Sequence, residues 1–221
     1  MKKSNENIED INIENKEKKT FWFKFSIREI VICALILSMF IAAKSINSLI
    51  PELLPGIKFQ LIYILLPIIS LVFGWKISGI TMSIYIFIIA WLAPTFFIHG
   101  ITYVKGAKFV FLEYLLDYAI PILSLAIIPG LVLNFENKLW VFLFITLAFV
   151  ITFFSHFIAG IVMWGSYAQW GYGPVAYSAA ANSIIVWSAF GFSAVFAYPC
   201  VTRIRIAISN VFVQKGYEVE R

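Results

Sequence analysis

Long apolar runs follow one another along the chain, parted by short stretches in which lysine, arginine, glycine and proline collect. A helix that crosses a bilayer needs about 20 apolar residues. The pattern predicts six such helices, over about Ile27–Ile46, Phe59–Phe73, Ile77–Phe97, Phe109–Leu133, Leu139–Trp164 and Pro174–Ile204, the third interrupted near its end by Pro94. The expected fold class is an all-α integral membrane protein with six transmembrane helices. Residues 1–20 are rich in Lys, Glu, Asn and Ile and carry no short apolar core with a small-residue cleavage site. They are expected to form a disordered cytoplasmic tail. Residues 21–221 then form one membrane domain, because no polar stretch between the runs is long enough for a second folded unit.

Composition narrows the class. Of 221 residues, 61% are hydrophobic and 13% charged, against roughly half and roughly a quarter in soluble domains. The net charge of +5 does not point to nucleic acid, since most of the basic residues flank apolar runs in the manner of the positive-inside rule. Six crossings put both termini on one side. Thirteen of the 17 basic residues fall there: seven before the first helix, four after the last, and Lys76 and Lys138. Only Lys44, Lys58, Lys105 and Lys108 fall on the other side. Both termini are therefore expected in the cytoplasm, and the protein in the cell membrane. Cys33 and Cys200 lie in separate runs with no CxxC or Cys/His spacing, so no structural metal or disulfide framework is indicated. Trp75, Trp91 and Trp140 read as interface anchors.

In this orientation Glu113 lies about 6 Å and Asp117 about 12 Å below the outer start of the fourth helix, and His156 about 12 Å below Trp164. Ionisable residues within a membrane run are costly and mark function, although a single acid near the interface can also snorkel or cap its helix. Glu113 and Asp117 are one turn apart, with Tyr114 and Tyr118 beside them. Two carboxylates on one face repel unless a cation lies between them. His156, Gly160 and Trp164, at i, i+4 and i+8, align a basic ring, a gap and a large aromatic along one helical face. That face can hold a flat ring, although a lone interior histidine is more often a hydrogen-bonded structural group. After a turn containing Gly165, Gly171, Gly173 and Pro174, the last run carries Tyr177 and Asn182. These two stand about 140° apart around an ideal helix. They meet one ligand only if Tyr177 leans from the first turn or the helix is irregular there. In the first helix Ala34, Ser38 and Ala42 form a strip of small side chains, suited to packing within the bundle or against an external partner.

The string HFIAGIVMWGSYA from His156, followed by Pro174, Tyr177, Ser178 and Asn182, closely resembles the signature of thiamine-specific substrate-binding subunits, the S components, of energy-coupling factor transporters. FLEY at Phe111–Tyr114 is similar to that family's acidic motif. The likeness is dense over Tyr103–Asn182, and six helices with cytoplasmic termini suit the whole family. The resemblance implies a receptor that captures thiamine outside and delivers it inward, without a cofactor, together with a membrane coupling subunit and two ATP-binding subunits. It implies that Glu113 is the ligand-binding carboxylate, with Tyr114 in the same motif. His156 and Trp164 would pack on the ligand's rings, Tyr177 and Asn182 would make polar contacts, Gly160 would give clearance, and Tyr103 would sit in the outer loop over the site. The family's motif reads LEY or LDY, and this chain has both, so Asp117 is the competing carboxylate; the spacing from Tyr103 favours Glu113. The family's stacking tryptophan in the first outer loop is absent from Leu53–Lys58, so either a weaker site or replacement by Phe59 or Tyr63 is expected. The strip of Ala34, Ser38 and Ala42 would be the docking surface for the coupling subunit.

No GxxxxGK[ST] phosphate loop for ATP is present, so transport would draw its energy from partner ATPases. Two other readings stay open. One is an S component for another flat vitamin or precursor. The other is a membrane-embedded enzyme using Glu113 or Asp117 with His156 as an acid/base pair, against which stands the absence of GxSxG and HExxH motifs.

Overall fold

The structure, a computed structural model, describes residues 25–51, 58–89, 111–168 and 171–213. The expected tail at residues 1–20 and the loop residue Tyr103 lie outside the described residues. Among the described residues the secondary structure is entirely helical. Five stretches are long and apolar enough to cross a membrane: Ile27–Leu49, Leu61–Ile88, Phe111–Leu131, Lys138–Val162 and Pro174–Ala207.

Local sequence explains where these helices start. α1 (Ile27–Leu49) opens on a capping box, in which Ser26 Oγ accepts from Glu29 N and the Glu29 carboxylate accepts from Ser26 N at 2.8 Å. Such reciprocal bonds satisfy amides that the first turn leaves unpaired. The Asn137 side chain accepts from the amides of Leu139 and Trp140 and starts α4 (Lys138–Val162). Between them stand α2 (Leu61–Ile84), a π-helical turn at Tyr114–Ala119, and α3 (Ile120–Ile127), which runs into a 3-10 turn at Pro129–Leu131. α5 (Pro174–Val213) begins at a proline, whose missing N–H costs nothing in a first turn.

α2 is bent back on itself. Gly74 has φ 80° and ψ 163°, a conformation that glycine adopts without a Cβ penalty. Ser70 and Ser78, on either side of it, both donate to the carbonyl of Ala126, at 2.7 and 2.5 Å. A straight helix would separate them by about 12 Å. At one end of the bundle Leu61 N donates to Asn47 Oδ1 at 2.7 Å, and Lys44 Nζ donates to Tyr85 Oη at 2.7 Å. At the other end Lys76 pairs with Glu29 at 3.6 Å. The arms 61–73 and 75–84 therefore run in opposite directions, and the reversal falls between the second and third predicted runs. Gly130 seats the next turn against it: a Cβ there would stand 2.3 Å from Trp75 N and 2.8 Å from Gly74 C.

The hairpin is the centre of the bundle, packing on α1, α3 and α5, while α4 packs between α3 and α5. Leu66, Leu71, Met82, Ile86, Leu125, Phe149 and Val186 fill the interior and are at most 1% exposed. At the Gly74 end, Arg205 donates to the carbonyl of Leu71, one of the acceptors that the helix break leaves without an intrahelical donor. Its guanidinium lies 4.4 Å from the Phe135 ring centroid. Phe135 stacks on Tyr198 at 5.4 Å, and Lys138 lies 5.1 Å over that tyrosine. α1 buries Ile36, Phe40, Ala43 and Asn47 and leaves Ala34, Ser38 and Ala42 exposed. Among the described residues, the small-residue strip is not used to pack the bundle.

Two glycine substitutions separate conformational strain from backbone collision. Gly74→Ala meets open space and carries only the backbone penalty of φ 80° with ψ 163°, about 1–3 kcal/mol in a region that is essentially glycine-only. Gly130→Ala drives a Cβ into main-chain atoms and is expected to destabilise more. Thermal unfolding in detergent checks the order; equal melting points for the two variants would contradict it.

Candidate functional site

At the end of the bundle away from Gly74, four polar side chains from three segments form one chain of hydrogen bonds. Asp117, in the π-helical turn, accepts from His156 Nδ1 at 3.0 Å and from Trp164 Nε1 at 2.9 Å. His156 Nε2 lies 2.6 Å from the hydroxyl of Tyr63, in the first arm of α2. The spacing of His156 and Trp164 did place them together, but it is Asp117 that joins them. Each Asp117 oxygen has its own donor, as a carboxylate held in an apolar helix run requires.

A second set of contacts closes α4 on α5. Ser178 Oγ donates to the Phe157 carbonyl at 2.9 Å. Asn182 Nδ2 approaches the carbonyl oxygens of His156 and Ser178 at 3.3 and 2.9 Å, and Ser178 Oγ at 3.1 Å. Gly160 permits this approach, because a Cβ there would stand 2.1 Å from Ser178 Oγ. The gap beside His156 is thus filled by the neighbouring helix. Tyr177 is half-buried in the first turn of α5, one position off the face that carries Ser178 and Asn182.

Glu113 differs from Asp117. It is 5% exposed, and its Oε2 is buried without a hydrogen-bond partner among the described residues. Beside it, Tyr114 donates to the Ile86 carbonyl and stacks on Tyr118 at 5.9 Å. Lys44 reaches into the same region from α1, its ammonium 5.8 Å from the Tyr118 centroid and 5.4 Å from that of Tyr85. Cation–π contacts of this kind hold a charge within an apolar wall. Sequence reasoning gave Lys44 and Tyr85 no part here; the depth of Lys44, in the last turns of a membrane run, is the signal that marks it. Of the two aromatics expected to replace the missing loop tryptophan, Phe59 packs edge-on against Phe192 at 5.7 Å, and Tyr63 is committed to His156.

A buried carboxylate oxygen with no partner among the described residues, two hydrogen-bonded rings and an oriented side-chain amide thus stand at one end of a multi-pass helical membrane bundle. A family model described as thiamine transporter protein matches residues 30–208. The chain belongs to this family, and is a transport protein rather than an enzyme. Among solved structures it is similar to ThiT from Listeria monocytogenes, with 17% identity and a TM-score of 0.58 over 79% of this chain and 96% of that one. That likeness is one of fold. No curated protein matches the chain.

The double role of Asp117 gives a direct test. Asp117→Ala removes both acceptor oxygens, so His156 and Trp164 each lose a partner. A loss of about 1–3 kcal/mol in unfolding free energy is expected, accompanied by a shift in tryptophan emission. Unchanged stability and emission would show that the two bonds do not hold the rings.

Proposed function

We propose that this chain is the thiamine-binding S component of an energy-coupling factor transporter, and that Glu113 is the carboxylate that receives the ligand's cation. The observation that carries the assignment is the contrast between the two acids. Both oxygens of Asp117 are occupied by ring donors, whereas Glu113 Oε2 is buried with no partner among the described residues. Buried polar atoms without partners are rare, and each calls for a physical reason such as a bound group. Thiamine supplies a fixed positive thiazolium, which needs no proton to meet a carboxylate, and a flat aminopyrimidine. His156 and Trp164 offer faces for the flat ring. The Nδ2 group of Asn182 is engaged within the protein, so its carbonyl oxygen is what remains to accept from the exocyclic amine. Tyr177 completes the polar rim in this reading, with Tyr114 buttressing the acidic turn, and the family resemblance adds Tyr103 as a further ligand contact.

In this reading each arm of α2 counts as one crossing, for six helices, and the excess of basic residues at the Gly74 end supports cytoplasmic termini. The site then faces outward, where a receptor meets its solute. The exposed strip of Ala34, Ser38 and Ala42 is the docking surface for a membrane coupling subunit, which would connect this chain to two ATP-binding subunits.

Titration of thiamine into the purified chain should quench tryptophan emission. Glu113→Gln is expected to weaken binding about tenfold or more by removing the charge opposite the cation, and Trp164→Ala to abolish most of the quench. A folded wild-type chain that shows neither quench nor heat of binding would overturn the reading. For docking, Ala34→Leu with Ser38→Leu should leave thiamine affinity intact while abolishing co-purification with the coupling subunit; an intact complex would refute the assignment of that surface.

A further inference from the structure

We infer that Tyr63 is a positioning residue for the site: its hydroxyl holds His156 as the Nδ1–H tautomer and fixes the imidazole so that a ligand meets the ring's face and not its nitrogens. The inference starts from Trp164, whose indole N–H can only donate. Asp117 Oδ2 must therefore accept from it, at 2.9 Å. An ionised carboxylate accepts at both oxygens, so the Asp117 Oδ1 contact to His156 Nδ1, at 3.0 Å, places a proton on Nδ1. In the neutral ring Nε2 is then a lone pair. Tyr63 Oη lies 2.6 Å from it and, in this assignment, is the donor. With both edges of the imidazole engaged, the ring cannot turn over without breaking two bonds, and neither nitrogen is left to meet a ligand.

Tyr63 is itself held from both sides. It is 5% exposed, and its ring makes a tilted contact with His156, centroids 5.8 Å apart and planes at 35°. Pro67, one turn on, has no N–H to give the Tyr63 carbonyl. Ser193 Oγ from α5 approaches that carbonyl instead, at a long 3.5 Å. The residue thus ties the first arm of α2 to α4 through its side chain and to α5 through its backbone. Its ring is covered by protein, so it does not act as a substitute stacking surface. What it contributes is one hydroxyl.

The effect on the ligand rests on the thiamine reading above, but the tautomer does not, and one experiment separates them. Long-range proton–nitrogen NMR of histidine-labelled, ligand-free protein in detergent reads both ring nitrogens of His156, assigned against a His99→Asn variant. The wild type should show a protonated Nδ1 and an unprotonated, hydrogen-bonded Nε2. In Tyr63→Phe, which keeps the ring and removes only the hydroxyl, the Nε2 resonance should move and thiamine affinity by calorimetry should fall about five- to tenfold. A protonated Nε2 in the wild type overturns the inference even if the variant does not fold. So does a Tyr63→Phe variant with unchanged affinity, since a ring that merely stacked would be served equally well by phenylalanine. Should wild-type protein bind no thiamine, the ligand assignment fails, while the tautomer and its response to Tyr63→Phe still decide the positioning role.

Discussion

A carboxylate inside a membrane run has no water to solvate it, and the way Asp117 meets that demand sets the rest of the site. By accepting from an imidazole and an indole eight residues apart on α4 and its end, it makes one acid orient two rings. Tyr63 completes the series from the other side of His156. These bonds run between the first arm of α2, the π-helical turn and α4, so the elements cannot shift independently without unpairing a buried polar group. The rings that a flat ligand would touch are therefore fixed before it arrives, which lowers the ordering cost of binding.

Close backbone approach makes that geometry reachable. Gly160 lets α5 settle on α4 until Ser178 and Asn182 reach the carbonyls of Phe157 and His156. Gly130 does the same for the turn that lies against Gly74. Small residues bring membrane helices together because lipid provides no hydrophobic drive for association, leaving packing and hydrogen bonds to supply it. The buried hydroxyls follow the same logic: Ser70 and Ser78 meet at the Ala126 carbonyl, and Ser124 meets Thr152 at 2.9 Å.

Much of this was legible in the sequence where one helix carries the information. The apolar runs were readable from length alone, and the break at Gly74 from the polar and small residues around it. The alignment of His156 with Trp164 followed from i, i+8 spacing. What depended on two elements was not readable. The π-helical turn at Tyr114–Ala119 departs from α-helical register, so the sequence could not tell which acid would reach α4. Gly160 read as clearance for a ligand, yet the space is taken by Ser178 from a helix whose register no local pattern specifies. Tyr63 read as a ring, whereas its hydroxyl is the group in use. The angular mismatch of Tyr177 and Asn182 was apparent from spacing, and Asn182 indeed turns into the α4–α5 seam.

The two ends of the bundle treat their polar groups differently, and the difference bears on function. At the Gly74 end several charges are matched among the described residues: Glu29 meets Lys76, Arg205 meets the Leu71 carbonyl and Phe135, and Lys138 meets Tyr198. At the opposite end the same economy holds for Asp117, His156 and Trp164, and stops at Glu113, whose Oε2 is left without a partner among the described residues. Among the described residues, the acid one turn away has a donor at each oxygen, whereas Glu113 keeps one buried oxygen unpaired. A ligand that brings a permanent positive charge would satisfy the carboxylate without drawing on the donors already engaged, and its departure would leave those bonds in place for the next.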